Sequence, residues 1–125
     1  MLHKICLTAV AIACFGSSAI AEGDVVKGEQ QFKKCMACHS ITDTKNKIGP
    51  HLVGTMGRVS GSVEGYNYSN NLKDMKAANT LWDEALLDKY LENPKKVAPQ
   101  GKMAFGGIKK PEDRADLIAF LKSKK

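Results

Sequence analysis

The sequence predicts an all-α protein: three to five short helices in one small domain, joined by long loops. Three observations point there. No stretch sustains the every-second-residue alternation of β-branched side chains that marks a strand. Several stretches carry helix-capping residues around an apolar stripe. Two glycine- and proline-rich segments, 49–65 and 94–111, separate those stretches. Loops that long in a compact domain need a reason, and a bound group that they wrap supplies one.

The first residues read as an address. Lys4 gives a positive start, Ile5 to Phe15 is an apolar run too short to span a bilayer, and Ala19-Ile20-Ala21 has the small-x-small form of a signal peptidase site. Residues 1–21 are therefore expected to be a cleavable signal peptide, cut after about Ala21, and residues 22–125 the working domain. A retained anchor is the competing reading, and lipidation at Cys6 is disfavoured because Cys6 lies inside the apolar run. Export to a bacterial periplasm follows, with no stable membrane insertion.

Within 22–125 the helices are expected in this order. Asp24 caps a first helix running to about Cys35, with Val25, Val26, Gly28 and Phe32 on one buried stripe. Gly28 costs helix stability relative to alanine, which makes sense where another backbone packs closely against it. Asn70 or Asn71 caps a short helix to about Ala78. Thr80 caps a clearer one, Leu81 to Glu92, with Asp83 and Glu84 favourable in its first turn. Pro94 stops it, since the residue before a proline is biased away from the helical region. The last helix starts at Pro111, with Glu112, Asp113 and Asp116 early, Lys122, Lys124 and Lys125 late, and Ala115, Leu117, Ile118 and Leu121 as its apolar face.

Composition narrows the function. The chain has 125 residues, 43% of them apolar and 26% charged, which is ordinary for a globular domain and excludes wholesale disorder. Aromatics are scarce at 6%, so a small core has reason to lean on a disulfide, a metal or a cofactor. Of the four cysteines, Cys6 and Cys14 leave with the leader; Cys35 and Cys38 remain, too few for a disulfide scaffold. A net charge of +6 argues for an acidic partner. The basic residues have no aromatic interleaving and match no recognition motif, which speaks against nucleic acid.

The chemistry lies in Cys35-Met36-Ala37-Cys38-His39. C-x-x-C-H is the attachment signature of c-type haem. Two thiols one helical turn apart match the two vinyl groups on a porphyrin edge. His39, next in line, then reaches the iron with an imidazole nitrogen. A thioredoxin-type redox pair would want strands that the chain lacks. A zinc site would want a second ligand pair. A plain disulfide would give His39 no role. The candidates for the sixth iron position are His51, Met56, Met75 and Met103. A methionine taken alone is more often core filler. Met103 has the better case, because its glycine- and proline-rich loop is far enough along the chain to close over the other haem face. A thioether there favours ferrous iron and blocks the site against small ligands, which suits electron transfer.

Those residues carry a family likeness. From about residue 23 to 124 the chain resembles class I cytochrome c, of the mitochondrial and bacterial cytochrome c2 type. The carrying segments are Cys35-Met36-Ala37-Cys38-His39, Ile48-Gly49-Pro50, Gly54-Thr55-Met56-Gly57-Arg58, Tyr66-Asn67-Tyr68-Ser69, Trp82, Tyr90-Leu91-Glu92-Asn93-Pro94-Lys95-Lys96, Lys102-Met103-Ala104-Phe105 and Gly107-Ile108-Lys109-Lys110. The resemblance implies the small cytochrome c fold, with helices and loops wrapped around one covalently attached haem c. It implies Cys35, Cys38, His39 and Met103 as the cofactor-binding residues, with His39 and Met103 as axial iron ligands. It also implies a Pro50 carbonyl bonded to the other His39 nitrogen, and a Tyr90 hydroxyl bonded near the Met103 sulfur. Arg58, Tyr68 and Trp82 would face a haem propionate, and Gly28 and Phe32 would meet Leu117 and Phe120 where the first and last helices cross. Two departures stand out. Pro99-Gln100-Gly101 precedes Lys102 where the family often has Gly-Thr, and the segment from Ser69 to Thr80 is longer than in mitochondrial members.

The function implied is a soluble, monomeric electron carrier rather than an enzyme. It would shuttle between acidic membrane redox complexes: a cytochrome bc1-type donor, and an oxidase or photosynthetic reaction centre as acceptor. Lys33, Lys34, Lys47, Lys95, Lys96, Lys102, Lys109 and Lys110 flank the two loops and would frame the exposed haem edge. A haem enzyme or gas sensor in which Met103 dissociates, and a thiol switch at Cys35 and Cys38, are the competing classes.

Overall fold

A computed structural model of the protein describes residues 11–14 and 22–125; most of the leader expected at 1–21 lies outside the described residues. Five helices follow one another: α1 (Val25–Phe32), α2 (Asn70–Ala77), α3 (Glu84–Glu92), α4 (Pro94–Val97) and α5 (Pro111–Lys122). No strand occurs among the described residues; Val59 and Leu81 form an isolated antiparallel bridge.

Asp24 caps α1 as expected, its carboxylate accepting from the Lys27 amide at 3.0 Å. The helix stops at Phe32, short of Cys35. Beyond it the chain continues in hydrogen-bonded turns, with the Cys35 amide donating to Phe32 O at 2.7 Å and the His39 amide to Cys35 O at 2.9 Å. The Cys35–His39 stretch thus keeps one helical turn of its own. The buried stripe is narrower than expected: Gly28 and Phe32 are buried, whereas Val25 and Val26 are exposed. The reason is the crossing with α5. Phe32 and Phe120 meet with ring centroids 5.3 Å apart, and the Asp24 amide donates to Asp116 Oδ1 at 2.8 Å. At Gly28 a Cβ would overlap the Asp116 carbonyl, so the backbone approach inferred from that glycine is present.

Two helix starts differ from expectation by a few residues. The cap of α2 is Ser69, not Asn70 or Asn71. Asn71 is used elsewhere, its Oδ1 accepting from the Gln100 amide at 2.7 Å and tying the 98–110 loop to α2. Helix α3 is capped by Asp83, whose side chain accepts from the Leu86 amide at 2.8 Å. Thr80 is not the cap because residues 80–82 pair with 58–60: the Trp82 amide donates to Arg58 O at 2.9 Å and the Ser60 amide to Thr80 O at 2.7 Å. These long-range bonds outcompete one more helical turn.

After α3 the chain does not stay irregular. Asn93 turns extended at φ −157° and caps the short α4, with Pro94 in its first position. The Asn-Pro pair thus ends one helix and begins another, which fits proline's lack of an amide hydrogen. Helix α5 begins at Pro111 as expected. Its burial is broader than one face: Leu117 to Leu121 are all buried, as is Arg114, while Ala115 is only partly covered. Arg114 Nε meets Asp88 at 2.7 Å, and its Nη1 donates to the carbonyls of Ile108 and Lys109 at 2.9 and 3.0 Å. One buried cation therefore pins α5, α3 and the preceding loop together.

The core comprises Phe32, Trp82, Leu87, Leu91, Ile108, Leu117, Ile118, Phe120 and Leu121. It forms one wall of a cavity of about 240 Å³, which the 35–72 segment and the 102–105 loop enclose from the other sides.

Candidate functional site

All four residues singled out by sequence, Cys35, Cys38, His39 and Met103, line this one cavity. The other candidates for the sixth position do not. Met56 and Met75 pack against the core, and His51 lies outside the lining. Met103 thus separates from the core methionines by position alone.

The turn after α1 carries Cys35, Cys38 and His39 on one side. Burial pushes the Cys35 thiol up from its ordinary value, against a lowering by neighbouring Lys34, so the thiol stays protonated at neutral pH. His39 Nδ1 lies 2.7 Å from the Pro50 carbonyl. A carbonyl can only accept, so Nδ1 carries the proton and Nε2 keeps its lone pair. Burial lowers the His39 pKa, and the Pro50 bond opposes it only in part. The ring is neutral and fixed in orientation, as a metal ligand requires. Gly49 makes this possible: its amide donates to Cys38 O at 2.8 Å, and a Cβ on it would run into the His39 ring.

On the far stretch of chain, Lys102 Nζ donates to Asn67 O at 2.9 Å, tying the Met103 loop to the 66–69 segment. A second tie runs from Lys95 Nζ to Gly101 O. Trp82 and Tyr90 stack obliquely, centroids 4.9 Å apart, and both line the cavity. Tyr90 has no hydrogen bond to Met103 among the described residues, though both line the cavity. Burial, with a smaller effect from Tyr66, pushes the Tyr90 hydroxyl up to about 12, which keeps it a neutral donor. Tyr68 is buried and its hydroxyl accepts from the Val63 amide at 3.1 Å.

Arg58 also lines the cavity. Its Nη1 donates to His51 O at 3.1 Å and Val53 O at 3.3 Å, while its Nε is buried without a partner. Burial lowers its pKa, with Tyr68 opposing. A buried guanidinium with a free N–H wants an anion. The lining therefore fits a haem: two thiols and an imidazole on one turn, a thioether on a separate loop, apolar walls, and a cation suited to a propionate. Sequence reasoning passed over Thr55, three residues before Arg58, which is buried, lines the cavity, and leaves its hydroxyl unpartnered. Its only signal was its place between Gly54 and Gly57. Arg114 was missed as well, since nothing local marks an arginine for burial.

The helical fold and the residues lining the cavity agree with what known proteins show. The family model described as "Cytochrome c" matches residues 25–125. Cytochrome c2 of Rhodomicrobium vannielii is 50% identical over 119 residues, covering 94% of this chain and 92% of that one. Cytochrome c2 of Agrobacterium tumefaciens is 48% identical over 101 residues, covering 80% and 91%. Among solved structures, cytochrome cH from Methylobacterium extorquens superposes with a TM-score of 0.74 at 42% identity, covering 82% of this chain and all of that one. Identity at that level across nearly the whole of both chains makes this protein a member of the cytochrome c family: an electron carrier, not an enzyme, with one covalently attached haem c.

Proposed function

We propose that the protein is exported, trimmed after about Ala21, and works in the periplasm as a one-electron shuttle between membrane redox complexes. In this reading Cys35 and Cys38 hold the haem by thioether bonds, and His39 and Met103 bind its iron. The observation that carries it is the cavity shared by Cys35, Cys38, His39 and Met103, with the His39 tautomer set by Pro50 at 2.7 Å. When bound, the haem supplies a ferric/ferrous couple. The chain's own contribution is to keep His39 neutral and oriented, to hold Met103 in a loop tied down by Lys102, and to exclude water with apolar walls. His39 and Met103 would together hold the iron, which would leave small ligands no open site and keep reorganisation small.

Two features support export. The first 21 residues have the three parts of a signal peptide. The match to the Rhodomicrobium protein covers 94% of the chain and so takes in part of that segment.

For docking, the eight lysines that flank the loops are all exposed. Lys34 and Lys102 border the cavity, Lys47 Nζ donates to Met36 O at 2.8 Å beside the cysteine pair, and Lys109 Nζ donates to Gly106 O at 3.2 Å on the Met103 loop. None of them is in an ion pair among the described residues. Their charge is free to attract an acidic partner such as a cytochrome bc1-type donor, or an oxidase or photosynthetic reaction centre acceptor.

The test is the visible spectrum of the ferric protein. A weak far-red band from a thioether–iron bond in the wild type, lost in Met103→Leu, supports the closed site. A wild type without that band, binding cyanide readily, would hand Met103 back to the loop and bring ligand-binding chemistry forward.

A further inference from the structure

Residues 54–58 form a tight turn with two glycines in the left-handed region that glycine favours: Gly54 has φ +70° and Gly57 φ +81°. Between them Thr55 is held from both sides. Its amide donates to Leu52 O at 3.2 Å, and its carbonyl accepts from the Arg58 amide at 3.1 Å. The side chain is 3% exposed and forms part of the cavity wall, and its Oγ1 has no partner in the protein. Arg58 Nε, on the same turn and the same wall, is likewise buried and unpartnered. Two orphaned donors so close in the chain, one of them cationic, are costly unless one acceptor serves both. Valine has nearly the same shape as threonine and would fill the position without that cost. Ser60 Oγ is also buried and unpartnered, but it does not line the cavity; Thr55 Oγ1 and Arg58 Nε belong to residues that do, which points to a partner held in the cavity.

The chemistry of the haem restricts what that partner is. Its four pyrrole nitrogens are engaged with iron, and its vinyl groups are consumed by the thiols. The only acceptors left are the propionate oxygens. We infer that the Thr55 hydroxyl donates a hydrogen bond to a haem propionate beside Arg58, making Thr55 a positioning residue for the cofactor and a determinant of its reduction potential. This rests on the haem-binding reading above. The hydroxyl and the guanidinium together neutralise a buried negative charge, and that charge favours the ferric, more positive iron. Thr55 thereby raises the potential.

The test uses the haem-loaded protein and the variants Thr55→Val, Thr55→Ala and Thr55→Ser. Three quantities are read: the propionate bending mode in resonance Raman spectra, the midpoint potential, and the Tm of the ferric form. The inference expects the propionate mode to shift and the potential to fall in Thr55→Val and Thr55→Ala, with both close to wild type in Thr55→Ser. It is overturned if Thr55→Val leaves mode and potential unchanged and raises the Tm, the signature of removing a hydroxyl that had no partner. Unchanged mode and potential in Thr55→Ala overturn it equally, should valine prevent haem loading. The far-red band of the wild type is recorded first. Its absence would count against Met103 ligation and leaves the Thr55 comparison intact, because the propionate mode does not depend on the sixth ligand.

Discussion

Gly49 and Pro50 act on His39 from two directions. The Pro50 carbonyl fixes the proton on Nδ1, and the missing Cβ of Gly49 leaves room for the ring. Gly49→Ala would press a methyl group onto the imidazole. Overpacking of this kind costs about 1–3 kcal/mol, so a lower Tm and a disturbed Soret band are expected; an unchanged Tm would mean the ring has space to swing. Tyr90 makes a prediction about alkaline pH. Its folded-state pKa of about 12 lies above the ordinary tyrosine value of 10. A group raised in this way lends stability that is whole below pH 10 and is lost as pH climbs towards 12. Tyr90→Phe should flatten that part of the stability profile, and denaturant titrations of both proteins between pH 9 and 12, differing only in this hydroxyl, check it. The motif residues were legible in sequence because covalent attachment demands contiguous spacing. Arg58 was legible only through the resemblance and Thr55 not at all, because their importance depends on which wall the 54–58 turn ends up forming.

The helix crossing tests whether local propensity or packing rules. Replacing Gly28 by alanine improves helix propensity by about 1 kcal/mol. Against this stands a clash with the Asp116 carbonyl, a backbone atom that cannot rotate away. Separating α1 from α5 would also loosen the Phe32–Phe120 contact at 5.3 Å. Packing should win, and Gly28→Ala should lower the Tm; a rise would show that the two helices part freely. At α4 the balance is simpler. Asn93 Oδ1 accepts from the Lys95 amide at 3.2 Å, and N-cap removal typically costs about 1 kcal/mol. A loss of that size is the expected result for Asn93→Ala in equilibrium unfolding. Helix α4 is hard to read from sequence because Asn-Pro is a stop signal for α3, and the same two residues serve equally well as a cap and first turn. The late start of α3 has a different cause: the bridge at Leu81 joins it to Val59, and no window along the sequence contains both.

For the molecule as a shuttle, charge acts at a distance. Exposed lysines are screened over about 10 Å at 0.1 M salt, so association with an acidic redox partner should slow steeply as ionic strength rises. Lys34→Gln with Lys96→Gln should slow it several-fold at low salt and leave the far-red band in place, because neither lysine bonds a carbonyl of the Met103 loop. Stopped-flow rates across a salt series decide this, and a flat profile would remove the steering argument. The positive balance of the composition pointed to an acidic partner from the start. The resemblance implies lysines around the haem edge; that Lys34 and Lys102 line the cavity came with the fold.

The haem-attachment motif, the helical class, the cap at Asp24, the helix start at Pro111 and the close approach at Gly28 are properties of short stretches, decided by neighbours a few residues away. They could be read from the chain because covalent spacing, capping and the absence of a side chain act locally. Loop position favours Met103 over Met56, Met75 and His51 in the sequence; that Met103 lines the cavity and the other three do not is a matter of the fold. The burial of Arg114, the Thr80–Trp82 pairing and the orphaned donors of Thr55 and Arg58 were wholly tertiary. Each depends on segments far apart in sequence being brought together, and burial and unmet hydrogen bonds are properties of surroundings that a residue acquires only when the rest of the chain has folded around it.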